Sequence, residues 1–204
     1  PSLDRPVAVK ALHRHALRDP MARERFLREA RSGAGLSHHN IVTVYQVEEF
    51  NDVPVLVMEF VEGQSLQAVL AKGTPLSVSR ILSIARQVAA GLAAAHQRGL
   101  IHRDIKPGNI LLEQGSGRVR ITDFGLARAI DDPSLTSSGM IVGTPAYMAP
   151  EQAEGSSVDH RTDLFSLGGV IHAACTGDPP FKGDSSREVL NKVLLCRPPR
   201  LQTL

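Results

Sequence analysis

Apolar and polar positions alternate differently on the two sides of residue 75. In the first part, Val7-Ala8-Val9-Lys10-Ala11-Leu12 is a short apolar run of strand type carrying a single charge, Lys10. Asp19-Pro20 follows as a helix N-cap with proline at the first helical position, which predicts a helix over residues 20–34. Residues 41–47 and 55–60 are rich in β-branched and apolar side chains and flank the turn-forming pair Asn51-Asp52, so they are predicted to be neighbouring antiparallel strands. In the second part, Ile81, Ile84, Ala85, Val88, Leu92 and Ala95 recur at helical spacing between Pro75 and Gly99, predicting one long helix with glycine at its C-terminal cap. Two short strands, 110–112 and 119–121, are predicted around Gly115-Ser116-Gly117, and a helix is predicted to contain residues 189–195. Residues 126–150 are polar and punctuated by proline and glycine, a long loop of the kind that carries function. Residues 162–174 are apolar almost all round, as expected of a helix buried at a lobe's centre. The expected class is α+β, mixed in the first part and mainly helical in the second.

Composition narrows the functional classes. At 204 residues and 42% hydrophobic content the chain can bury a core as one domain or two small lobes. Its 23 basic and 21 acidic residues leave a charge of +2, which gives no electrostatic case for nucleic acid or for membrane contact by this segment. Cys175 and Cys196 lack the paired spacing of a zinc site or disulfide framework and are expected to be core thiols in a reducing cytoplasm. The apolar stretch around Leu164 to Cys175 is interrupted by Ser166, Gly168, Gly169 and His172, and falls short of the roughly 18 apolar residues of a membrane span. Pro1 and its neighbours show neither an initiator methionine nor a signal peptide, so the chain is expected to start inside a longer protein.

The chemistry is concentrated in two short segments. His102-Arg103-Asp104-Ile105-Lys106-Pro107-Gly108-Asn109 is followed by Asp123-Phe124-Gly125, nineteen residues after Asp104. For either segment alone, the reading as solvated loop acids is favoured. Together they resemble the catalytic loop and metal-binding loop of the protein kinase family, in its eukaryotic-like serine/threonine form of bacterial type. Transfer of a γ-phosphoryl group needs a carboxylate to orient and deprotonate the incoming hydroxyl, oxygen ligands for a divalent cation, and a cation against the phosphates. The resemblance implies Asp104 as the base, Lys106 as a cation near the transferring phosphate, and Asn109 and Asp123 as metal ligands. ATP and Mg²⁺ are the implied cofactors, with Mn²⁺ as an alternative metal.

The same resemblance assigns further positions. Lys10 is implied to hold the α and β phosphates and to pair with Glu29, nineteen residues on, in an ion pair that acts as a switch. Ala8 and Leu111 are implied to sandwich the adenine. Met58-Glu59-Phe60-Val61 resembles the hinge, where backbone groups of Glu59 and Val61 bond the base beside Met58. Gly143-Thr144-Pro145-Ala146-Tyr147-Met148-Ala149-Pro150-Glu151 resembles the substrate-docking segment, which implies protein substrates with Ser or Thr acceptors and argues against a small-molecule kinase. Arg103 beside the base implies regulation by phosphorylation of the loop that contains Thr136, Ser137 and Ser138. Asp163 is implied to bond the catalytic-loop backbone, and His102 to organise the Asp123-Phe124-Gly125 backbone. His38-His39 and His13-x-His15 are assigned no function.

The implied architecture is a bilobal protein kinase-like fold. Residues 1–61 are a partial first lobe, with a truncated sheet and one helix, and residues 62–204 a partial, mainly helical second lobe. The family's glycine-rich loop and closing helices have no counterpart in the chain. The isolated segment is therefore expected to expose a strand edge, to leave Glu151 unpaired and to transfer phosphate weakly or not at all. Self-association for phosphorylation in trans, and anchoring of the whole protein to a membrane through a segment outside this chain, are further expectations. The competing reading is an ATP-sensing scaffold without activity, against which Lys10, Asp104, Asn109 and Asp123 all speak.

Overall fold

The computed structural model describes residues 5–11, 24, 26–27, 33–51, 53–124 and 145–198. Strands β1 (Val7–Ala11), β2 (Val44–Phe50) and β3 (Val53–Glu59) form an antiparallel sheet in the order β1-β3-β2. Burial along β3 alternates strictly, turning Pro54, Leu56 and Met58 inward, which is the two-residue period of a pleated strand. The turn between β2 and β3 begins at Asn51, whose φ of 50° lies in the left-handed region that asparagine tolerates. The expected strand over 41–47 starts later, because Ile41 and Val42 are drawn to another partner. Ile41 bridges Ile121 in parallel, and the Val42 N–H donates to Ile121 O at 2.8 Å. Of the helix expected over 20–34, residues 24, 26, 27, 33 and 34 are described and all are helical. Phe26 from that helix is buried against Val42, Leu56 and Met58 under the sheet.

A second sheet has the order β4-β5-β6, formed by β4 (Gly63–Ser65), β5 (Ile110–Glu113) and β6 (Val119–Ile121). The β5–β6 connection carries Gly115 and Gly117 at φ 78° and 67°, conformations that side-chain-bearing residues rarely adopt. Helix α1 (Leu66–Leu70) follows β4 directly, and α2 (Val78–His96) is the long helix the periodicity predicts. Ser77 caps α2 by accepting the Arg80 N–H, and Ile81, Ile84, Val88, Leu92 and Ala95 are buried along one face. Then come the short α3 (Pro150–Ala153), the central α4 (His160–Thr176) and α5 (Ser186–Leu195). Asp159 caps α4, and Gly177 at φ 83° ends it. The main core lies between α2, α4 and the second sheet, with Leu92, Ile105, Ile110, Ile121 and Val170 almost wholly buried.

Two expectations change. Helix α4 is not apolar-buried all round: Leu164, half exposed at 50%, and exposed Gly168 and Cys175 share a stripe facing solvent. Cys175 and Cys196 are both exposed, not core thiols: Cys175 lies on that stripe, and Cys196 takes a left-handed conformation at the end of α5. Glu151 has no ion-pair partner among the described residues, and its Oε1 accepts the Thr162 hydroxyl at 2.5 Å. Among the described residues no helix is long and apolar enough to cross a membrane. The fold is α+β, as the pattern predicts.

Candidate active site

The segment 102–109 is shaped from beneath by α4. Asp163, fully buried, accepts the His102 N–H at 2.8 Å on Oδ2 and the Arg103 N–H at 2.7 Å on Oδ1. His96, at the end of α2, places Nε2 2.7 Å from the same Oδ2. Arg103 is held at φ 67°, a left-handed conformation that costs a residue with a side chain roughly 1–2 kcal/mol. His102, also fully buried, uses both ring nitrogens: Nδ1 accepts the Asp104 N–H at 3.2 Å, and Nε2 donates to Thr122 O at 2.9 Å. That pairing fixes the tautomer and ties the loop bearing Asp104 to the residue before Asp123.

Asp104 and its neighbours converge as the motif suggests. Asp104 Oδ2 receives Lys106 Nζ at 2.7 Å and Asn109 Nδ2 at 2.9 Å. The same Asn109 nitrogen lies 2.8 Å from Asp104 O, while the Asn109 N–H and C=O are engaged by Lys106 O and Thr122 N–H, each at 3.0 Å. The Asn109 carboxamide nitrogen is thus spent on Asp104. Across the cleft, Ala8 and Lys10 share the inward face of β1, since burial alternates along that strand. Lys10 Nζ lies 2.7 Å from Asp123 Oδ1. Asp123 stands at φ 65°, and Phe124 sets its ring edge-on to His102, centroids 4.6 Å apart. Asp123 Oδ2 and Asn109 Oδ1 are hard oxygen donors, few in number, which suits Mg²⁺ completed by substrate phosphates rather than an all-protein cage.

The residues assigned to the adenine pocket meet in one cluster. Ala8, Val61 and Leu111 pack against the buried cluster that contains Met58, and Ala8 pairs with Met58 across β1 and β3. The Glu59 N–H is committed to Thr43 O at 2.9 Å, so the backbone group Glu59 can offer a base is its carbonyl. Its side chain has a task the sequence does not announce: Oε1 takes Arg120 of β6 at 2.7 Å and Oε2 takes the Thr43 N–H at 3.1 Å. This ion pair ties the end of β3 to the strand leading into Asp123.

Residues 145–152 are also held by α4. Ser166 Oγ is 2.8 Å from Tyr147 O, and the Thr162 hydroxyl reaches Glu151. Burial, with the Asp178 charge adding to it, pushes the Tyr147 phenol up to about 12. Gln152 accepts the Ala149 N–H at 3.1 Å and donates to Arg103 O at 2.9 Å. Glu29, Thr136, Ser137, Ser138, Gly143 and Thr144 lie outside the described residues, as do His13 and His15. His96, Gln152, Thr162 and Ser166 escape a reading of motifs. Only the spacing of Gln152 to Ala149, the fourth and first positions of a helix start, could have marked one of them.

The profile of the protein kinase domain family matches residues 2–200. Serine/threonine-protein kinase PknL of Mycobacterium tuberculosis is 41% identical over 198 residues, covering 97% of this chain and 49% of that protein. Serine/threonine-protein kinase PknB of Mycobacterium leprae is 43% identical over 188 residues, 90% of this chain and 30% of that protein. The chain thus spans about half the length of PknL and less of PknB. The crystal structure of the Mycobacterium tuberculosis PknI kinase domain superposes with a TM-score of 0.76 at 30% identity, covering 100% of this chain and 72% of that one. With the matched profile spanning nearly every residue and the catalytic-loop constellation in place, the chain belongs to the protein kinase domain family.

Proposed function

We propose that this segment is the catalytic domain of a serine/threonine protein kinase that moves the γ-phosphoryl group of ATP to Ser or Thr hydroxyls of proteins, itself included. The observation that carries the reading is the asymmetry of Asp104. Lys106 and Asn109 both occupy Oδ2, which leaves Oδ1 for an incoming hydroxyl. Asp104 then orients that hydroxyl and takes its proton as the oxygen–phosphorus bond forms. Lys106, anchored on the base, sits where charge develops on the transferring group. Lys10 holds the α and β phosphates, having Asp123 as its partner before nucleotide arrives. Asn109 Oδ1 and Asp123 would hold Mg²⁺, which would neutralise phosphate charge when bound.

Two packed cores support a division into lobes at residues 61 and 62, with the adenine lying between Ala8, Met58, Val61 and Leu111 at the boundary. Specificity for Ser and Thr rests on Lys106 two residues after Asp104 and on Thr144 in Gly-Thr-Pro. Glu29 as the partner of Lys10 in the active state, and Thr136, Ser137 and Ser138 as acceptors, belong to the same reading. The test is Asp104→Asn in the full-length protein. It lowers phosphate incorporation into a protein substrate by about 10²-fold or more while the protein still binds ATP; incorporation at the wild-type rate refutes the assignment.

A further inference from the structure

The peptide unit joining Arg103 to Asp104 is gripped at both ends. Its N–H, on Asp104, donates to His102 Nδ1 at 3.2 Å, and its C=O, on Arg103, accepts Gln152 Nε2 at 2.9 Å. The first grip is local, two residues along the chain. The second crosses 49 residues, from the helix that closes the docking segment. This plane sits immediately before the Asp104 Cα, so its tilt sets where the carboxylate points. Arg103 on its other side is at φ 67° and needs outside restraint to stay there. Asp163 supplies that restraint on the Arg103 N–H, and Gln152 supplies it on the Arg103 C=O.

An ordinary role accounts for only half of the Gln152 carboxamide. Its oxygen accepts the Ala149 N–H at 3.1 Å, the usual contribution of a third-position Gln or Glu to the start of a helix. A glutamate serves that purpose equally well, and its charge suits a helix N-terminus. The nitrogen is what a glutamate lacks, and the nitrogen goes to the catalytic loop. One amide thereby joins the backbone of the docking segment, at Ala149, to the backbone that aims the base.

We propose that Gln152 is a positioning residue for phosphoryl transfer, coupling the docking segment to the peptide plane that orients Asp104. The proposal rests on the phosphotransfer reading above, and its test separates the two. Gln152→Glu in the full-length protein keeps the helix start and removes the donor to Arg103 O. Gln152→Met keeps the length and removes both polar atoms. In the Glu variant, hydrogen exchange at the Asp104 amide becomes about fivefold faster, the equivalent of one lost hydrogen bond. Its kcat falls about tenfold, since small displacements of a reacting group are costly. Its KM for ATP stays at the wild-type value. Wild-type exchange at the Asp104 amide overturns the proposal. So does a Glu variant with wild-type kcat beside an impaired Met variant, which reduces Gln152 to a helix cap. Should the wild-type protein transfer no phosphate, the phosphotransfer reading falls, and the exchange measurement still decides whether Gln152 restrains the loop.

Discussion

Asp163 brings two oxygens to three donors, the N–H groups of His102 and Arg103 and the ring of His96, in a place that water does not reach. Replacing it by asparagine keeps the shape and loses an acceptor, leaving a buried N–H facing an NH₂ group. The expected cost is about 1–3 kcal/mol of stability. A denaturant titration measures that loss, and steady-state kinetics of the same variant show kcat reduced more than KM, because Arg103 is freed from its φ of 67°. Asp104, Lys106, Asn109 and Asp123, on which the proposed chemistry rests, stand out in the sequence because they fall within two short segments of motif character. His96, Gln152 and Ser166 do not, because their partners lie 67, 49 and 19 residues away and only the fold creates the pairing. Glu59 shows the same limit from the other side. The hinge motif draws attention to its backbone, while its carboxylate is occupied by Arg120.

At the scale of elements, long periodic segments announce themselves and short ones do not. Helix α2 is readable because an apolar residue returns at nearly every turn over 19 residues. Strand β4 has three residues, Gly63-Gln64-Ser65, with no apolar alternation, and α1 has five, too few for a period to show. What fixes β4 is the space available. A Cβ built on Gly63 falls 2.1 Å from Leu112 O, a backbone atom of the paired strand that cannot swing aside. Gly63→Ala is therefore expected to destabilise the protein by about 1–3 kcal/mol, seen as a lower melting temperature. A melting temperature equal to wild type would show that the β4–β5 pair can separate at little cost. Strand β2 begins later than its apolar run suggests because Ile41 and Val42 serve β6 instead, a competition between two strands that no local pattern encodes.

Across the whole molecule, stability should fall at both ends of the pH scale for identifiable reasons. Burial and the neighbouring His39 hold the His38 imidazolium form down from 6.5, so below that value the unfolded chain takes up a proton before the folded one does. Tyr147 works oppositely: its proton is lost near 10.0 in the unfolded chain and about 12 in the folded one, so stability declines as pH rises through that interval. Melting temperatures recorded against pH should lose part of the acid slope in His38→Gln and part of the alkaline slope in Tyr147→Phe. The α+β class and the longer elements are readable from sequence at this scale, and the resemblance supplies Asp163's bond to the catalytic loop, but the hold of the same helix, α4, on Glu151 and Tyr147 is not readable. Thr162, Asp163 and Ser166, within two turns of one buried helix, hold Glu151, the catalytic loop and Tyr147. If residues 145–152 seat the substrate and Asp104 is the base, as proposed, then in a machinist's terms seat and tool are referenced to a single datum: a shift of that helix carries both together, and the gap between acceptor hydroxyl and base varies less than the position of either.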